Sequence, residues 1–197
     1  MNTPLDIRGD PDVQLMLEVQ KGSQAAYRQL FEKHVAGVVG FAMQFVKSRA
    51  RAEELAQDVF LQVYRTRERY VPRARFKTWL YRMVTNACLS DLRRPEHNAV
   101  RPLDSAPTQD AGDPSIRTEA PSQSSEDVAL SREAVEKLQA AVARLPGQQR
   151  AALLLARVNG LSYDEIATAM RCSVSAVKSL IHRATVTLRD QLQEERI

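Results

Sequence analysis

Residues 95 to 128 divide this chain in two. They hold five of its nine prolines, five serines and almost no large apolar side chain, with two basic against seven acidic groups. Ordering a backbone costs about 1–2 kcal/mol per residue, and such a stretch buries too little apolar surface to offset that. It reads as a flexible acidic tether. On either side the apolar residues recur at helical spacing, and no segment sustains the period-two alternation of a strand. With 197 residues, 44% of them hydrophobic, each side is long enough to bury a core. The expected fold is all-α: two small helical domains, residues 1 to 94 and 129 to 197, joined by a flexible acidic linker at 95 to 128.

In the first part, Tyr27, Leu30, Phe31, Val35, Val38, Ala42 and Phe45 mark one long helix, with His34 as a spacer in the pattern. Leu55, Val59, Phe60, Val63 and Tyr64 mark a second, whose opposite face shows Glu54, Gln57, Asp58 and Leu61. After a basic connection around Val71 and Pro72, a third runs from about Lys77 to Leu92. Beyond the tether, Leu130, Ala134, Leu138, Ala141, Val142 and Leu145 form one helical stripe that ends at Pro146 and Gly147. A helix to Val158 follows, stopped by Asn159 and Gly160. Ser162 with Glu165 three residues later is a capping-box start for a short helix to Met170. The last helix begins near Ser173.

The formal net charge of +4 hides an asymmetry. Residues 1 to 94 carry 16 basic and 10 acidic groups and residues 129 to 197 carry 10 and 7, so both ends are basic around an acidic middle. Within residues 65 to 94 nine bases face only Glu68 and Asp91, which points to a polyanionic partner. Other classes find little support. No apolar run follows a basic start, and nowhere do about 18 apolar residues stand in a row, so neither a signal peptide nor membrane insertion is expected and a cytoplasmic location is. Cys88 and Cys172 lack partners at ligand spacing and read as small core residues. The seven glycines form no phosphate-cradling loop, no HExxH spacing occurs, and His34, His97 and His182 lie far apart. Glu53 and Glu54 point about 100° apart on a helix, unlike a paired-carboxylate site. No catalytic residue, metal or cofactor is expected, and the chain does not read as an enzyme.

The last two helices fit a helix-turn-helix, with Ala167 small where the helices cross and Val177 locking the second onto the first. Ile166, Val174 and Ile181 extend the shared core. The second helix turns Ser175, Lys178, Ser179, His182 and Arg183 outward, and its Ser173 end offers free amides to a phosphate. Arg171 stands where such turns often place Gly in a left-handed conformation, at a cost of about 1 kcal/mol for Arg. A regulator acting on duplex DNA would account for this half but leave the acidic helix face and the aromatic-basic cluster around Trp79 without a task.

Two blocks carry a resemblance to a known family. RAEELAQDVFLQVYR with YVPRARFKTWLYRMVTNACLSDLRR resembles region 2 of bacterial extracytoplasmic-function (ECF) sigma factors, of the sigma-70 type, and LPGQQRAALLLARVNGLSYDEIATAMRCSVSAVKSLIHRA resembles their region 4. The resemblance implies an alternative sigma factor that joins core RNA polymerase, reads the −35 promoter element as duplex and melts the −10 element, with an anti-sigma factor as a further partner. It implies polymerase docking through Glu54, Gln57, Asp58 and Leu61. For the −10 strand it implies base contacts from Phe76, Lys77, Trp79, Tyr81 and Asn86 and phosphate contacts from Arg73, Arg75, Arg82, Arg93 and Arg94. For the −35 duplex it implies Ser173, Ser175, Lys178, Ser179, His182 and Arg183. Leu180 stands where the family usually has Arg. Helical phase requires at least one aromatic of the third helix to be core, and leaves open whether Trp79 packs beneath the strand or stacks on a base.

Overall fold

The computed structural model describes residues 7, 9–46, 48–94 and 125–194, with the backbone alone at 125–132 and 194. Among the described residues every regular element is helical. The linker expected at 95 to 128 lies outside them up to residue 124.

The first helix, α1 (Pro11–Gln20), was not expected from the sequence. Pro11 opens it, the Asp12 amide donates to the Asp10 carboxylate at 3.0 Å, and Val13, Met16 and Val19 point inward. Its low hydrophobic contrast hid it: apolar Leu15 and Leu17 interrupt the pattern on the less buried side. Next come α2 (Gln24–Met43), capped by Ser23, and α3 (Arg49–Arg65), capped by Ser48. A 3-10 turn at Arg67–Arg69 then leads to α4 (Phe76–Asp91).

Leu30, Val38 and Phe41 of α2, Val59, Phe60 and Val63 of α3, and Phe76, Leu80 and Val84 of α4 meet in one core. Each large side chain buried there contributes about 1.5–3 kcal/mol. Phe31 adds an edge contact to Phe60, ring centroids 4.9 Å apart.

The second group comprises α5 (Ser125–Arg144), α6 (Gly147–Arg157), α7 (Tyr163–Met170) and α8 (Val174–Glu194). Helix α5 begins at Ser125, before the expected domain start. Among its described side chains Ala141 and Val142, with Leu145 just beyond its end, enter the core, whereas residues 133–140 face solvent and Leu138 is 46% exposed. The long apolar stripe expected there is buried only in part; the Leu130 side chain lies outside the described residues. Ser162 and Glu165 form the expected capping box. Arg171 ends α7 in the left-handed region, φ 54° and ψ 47°, and Ile166, Ala167, Val177 and Ile181 are buried between α7 and α8.

The two groups touch. Thr78 on α4 donates to the Glu165 carboxylate on α7 at 3.1 Å, and Arg150 on α6 donates to the Gln44 carbonyl at the end of α2 at 2.7 Å.

Candidate nucleic-acid interface

Helix α4 has three faces, and they sort the residues expected to touch DNA. Its inward face carries Phe76, Leu80, Val84 and Cys88, all buried. Tyr81 joins them: it is 3% exposed, meets Phe41 edge-on at 5.5 Å, and burial pushes its phenol up to about 12. A Cβ at Gly37 would lie 3.1 Å from the Tyr81 hydroxyl, so a residue without one lets α2 pass close to the ring. Phe76 is 0% exposed. The expectation that Phe76 and Tyr81 contact bases is therefore corrected. The same helical phase that carries Leu80 and Val84 inward turns both rings into the core, with no face left for a base.

Trp79 occupies the boundary. Its indole lies edge-on to Tyr70, centroids 4.9 Å apart and planes at 67°, and tilts against Phe76 at 5.9 Å. It is half-buried. With Arg82, Met83, Asn86 and Ser90 of α4 and Gln62 of α3 it lines a groove of about 340 Å³. Of the other residues expected at the −10 strand, Arg73, Arg75, Lys77, Asn86, Arg93 and Arg94 are exposed and Arg82 is half-buried; Arg73 borders a neighbouring cleft with Trp79, whereas Lys77 lies on the opposite side of α4, beside Asp12 and His34. One flat ring and a field of guanidinium groups are suited to a stacked base and its phosphates.

Glu54, Gln57, Asp58 and Leu61 all lie exposed along one side of α3. Glu54 and Asp58 stand at i, i+4, a like-charge spacing that weakens a helix by a few tenths of a kcal/mol, and Arg51 offsets it by donating to Glu54 at 2.7 Å. The same guanidinium donates to Asp91 on α4 through Nε at 3.1 Å and a terminal nitrogen at 2.5 Å. Asp91 and Glu54 hold Arg51 still more firmly protonated than usual. Sequence reasoning missed this pair because forty residues separate its members. Leu61 borders an apolar hollow formed with Tyr27, Phe31 and Tyr64.

On α8, Ser175, Lys178, Ser179, His182 and Arg183 are exposed on one side, while Val177, Ile181 and Ala184 are buried on the other. Ser173 is exposed but its hydroxyl accepts the Ala176 amide at 3.1 Å as the helix cap, leaving backbone amides of the first turn for an anion. Leu180 sits half-buried against the core, where an apolar side chain packs.

A polar cluster centred on the buried Asp12 was also missed. Asp12 accepts from Lys33 Nζ at 2.6 Å and lies 2.9 Å from His34 Nε2, fastening α1 to α2. Desolvation lowers the His34 pKa below its usual value, outweighing the opposing hold of Asp12. Among the described residues no group of three or more His, Cys, Asp or Glu could hold a metal, and no helix is long and apolar enough to cross a membrane.

Residues 30–97 match the family described as Sigma-70 region 2, and residues 135–188 match Sigma-70, region 4. The chain is 32% identical over 190 residues to the RNA polymerase sigma-H factor of Pseudomonas aeruginosa, covering 93% of this chain and 95% of that one. It is 30% identical over 186 residues to the ECF RNA polymerase sigma-E factor of Haemophilus influenzae, covering 92% and 95%. Among solved structures it resembles the sigma factor RpoE bound to the anti-sigma factor NepR from Bartonella quintana, with a TM-score of 0.62 at 20% identity over 85% of this chain and 96% of the other.

Proposed function

The chain belongs to the extracytoplasmic-function family of sigma-70-type RNA polymerase sigma factors, and we propose how its surfaces divide the work of promoter-specific initiation. It is a sigma factor: it binds core RNA polymerase and directs initiation at particular promoters. Sigma factors act by binding rather than by turning over a substrate, and this one works beside the polymerase, in the bacterial cytoplasm.

Residues 1 to 94 take the polymerase and the −10 element. The exposed side of α3, with Glu54, Gln57, Asp58 and Leu61, docks on the core enzyme. Arg51 tethers that side to α4 through Asp91, so polymerase docking and the strand-holding helix are set in one frame. Trp79 is the base-stacking group, with Asn86 beside it, and Arg73, Arg75, Lys77, Arg82, Arg93 and Arg94 are the charged groups for the strand. Unpairing and extruding a base costs a few kcal/mol, and one stacked base returns about 1–3 kcal/mol, so strand capture must combine the ring with phosphate contacts. The half-open indole beside Arg82 is the single observation that carries this assignment.

Residues 129 to 197 read the −35 element. Residues near the start of a recognition helix reach base edges. Ser175, Lys178 and Ser179 take that role, Ser173 marks an amide-lined phosphate site, and His182 and Arg183 reach the flanking backbone. An anti-sigma factor is the further partner, occupying the surfaces that the polymerase otherwise takes.

The test is to map transcript starts made by purified core enzyme with this chain. Starts sharing one −35 and one −10 element are expected, and starts with no shared elements would sink the proposal.

A further inference from the structure

Helix α4 takes its N-terminal cap from outside its own segment. Arg75, at the capping position, makes no side-chain cap bond. The Phe76 amide of the first turn donates instead to one oxygen of the Asp10 carboxylate at 3.3 Å, and the other oxygen accepts the Asp12 amide as the cap of α1. One acid thus starts two helices. The far end of α1 reaches the same stretch of chain: Gln20 Nε2 donates to the Glu68 carbonyl at 3.0 Å and to the Tyr70 carbonyl at 3.2 Å.

The span between these two anchors has little else to hold it. From Val71 to Arg75 the backbone amides make, among the described residues, one bond to the backbone, from Arg73 to the Val71 carbonyl at 2.9 Å, and Pro72 has no amide to give. Val71, Arg73 and Arg75 are exposed. A stretch with few buried contacts and few hydrogen bonds sits at the low-stability end of a fold, so its two ends decide its course. Tyr70 is buried, and its hydroxyl has no partner among the described residues. Its ring is therefore oriented by packing and by the backbone that Gln20 holds.

The two residues anchored by α1 are the two aromatic neighbours of Trp79. Tyr70 meets the indole edge-on at 4.9 Å and Phe76 tilts against it at 5.9 Å. Helix α1 is itself firmly placed, with Val13, Met16 and Val19 at 0% exposed and Asp12 tied to Lys33 and His34 on α2. It lies ahead of residues 30–97, the part that matches Sigma-70 region 2.

We propose that Asp10 and Gln20 are positioning residues for −10 strand capture: bonded to the backbone of Phe76 and Tyr70, the two rings against which Trp79 rests, they set the angle at which the indole meets a base. The inference rests on the reading of α4 as the −10 helix. Neither residue touches DNA. Both act through the aromatic pair that braces the indole.

Gln20→Met keeps the side-chain length and loses the donor. Asp10→Asn keeps the shape but offers one acceptor oxygen to two amides, so one helix loses its cap; it also removes a negative charge, which by itself favours DNA. Each full-length variant is assembled with core enzyme on a promoter found by transcript mapping. Both are expected to fold, to assemble and to bind the promoter duplex in the cold as the native chain does, yet to open it about fivefold less, the loss of one stacked base at its lower value. Trp79 is the only tryptophan, and its emission anisotropy should fall in both as the ring is freed. Gln20→Met combined with Trp79→Ala should open no less than Trp79→Ala alone, because two changes on one route do not add. Undiminished opening by either single variant, an equal fall in duplex binding, unchanged Trp79 anisotropy, or additive losses in the double variant would overturn the proposal. Undiminished opening by Trp79→Ala alone would instead remove the −10 reading of α4, and the proposal with it.

Discussion

Tyr70 and Trp79 meet edge to face, with centroids 4.9 Å apart and planes at 67°. Tyr70 is buried and Trp79 is half-buried, so the tyrosine acts as a stop that fixes the indole while leaving part of its face open. The indole is thus braced by the core and partly open at the surface. Trp79→Ala is therefore expected to fold and to bind core polymerase, at a cost below the about 3–5 kcal/mol of deleting a fully buried aromatic. Promoter opening, followed by permanganate reactivity of unpaired thymines, should fall at least about fivefold, as loss of one base stacked at about 1–3 kcal/mol requires. Undiminished opening by a folded variant would exclude stacking.

The Arg51–Asp91 pair is a second joint that substitution can test. Removing one partner of a buried pair typically costs about 3–5 kcal/mol. Arg51 keeps 28% of its side-chain surface exposed and Asp91 only 2%, so Arg51 left alone can turn to water and Asp91 cannot. Urea unfolding should show Arg51→Ala more destabilised than Asp91→Asn, even with Arg94 at 3.8 Å from the carboxylate. The reverse order would show that this asymmetry does not govern the pair.

His34 makes stability depend on pH. Its folded pKa lies below the ordinary value of 6.5, with desolvation the main cause. The unfolded chain then binds the proton more readily, so stability is full above pH 6.5 and is lost as pH falls through the folded value. Urea midpoints should drop from pH 7.5 toward pH 5 in the native chain and drop less in His34→Gln. Parallel slopes in the two would place the titration elsewhere.

Lys178 and Arg183 should separate by their signatures on −35 duplex. Lys178→Ala is expected to lose about 1–3 kcal/mol and to relax selection at one base pair. Arg183→Ala should weaken all sequences alike and lower the salt slope by about one. Uniform weakening by both would assign Lys178 to the backbone.

Several features were legible before any coordinates. Ser162 with Glu165 announced its helix because a capping box is written within four residues, and α8 announced its two sides because Val174, Val177 and Ile181 recur at helical spacing. The outward row Glu54, Gln57, Asp58 and Leu61 was legible for the same reason. Phe76 and Tyr81 were misplaced because the resemblance points to the aromatics of this helix as a group, without showing that the side of α4 carrying these two faces Phe41 and His34. Helix α1 escaped because its pattern has little contrast and its fixing contacts, Asp12 with Lys33 and His34, lie on α2.

The sequence by itself determined what is local: where helices start and stop, which sides are apolar, where charge gathers, and the two motif blocks that identify the family. Tertiary structure alone decided which aromatic stays open, which acid Arg51 holds, and that α7 lies along α4. The physical reason is range. Helical periodicity and capping act within a few residues, whereas Arg51 with Asp91, Tyr70 with Trp79 and Thr78 with Glu165 depend on the angle and register at which separate helices pack.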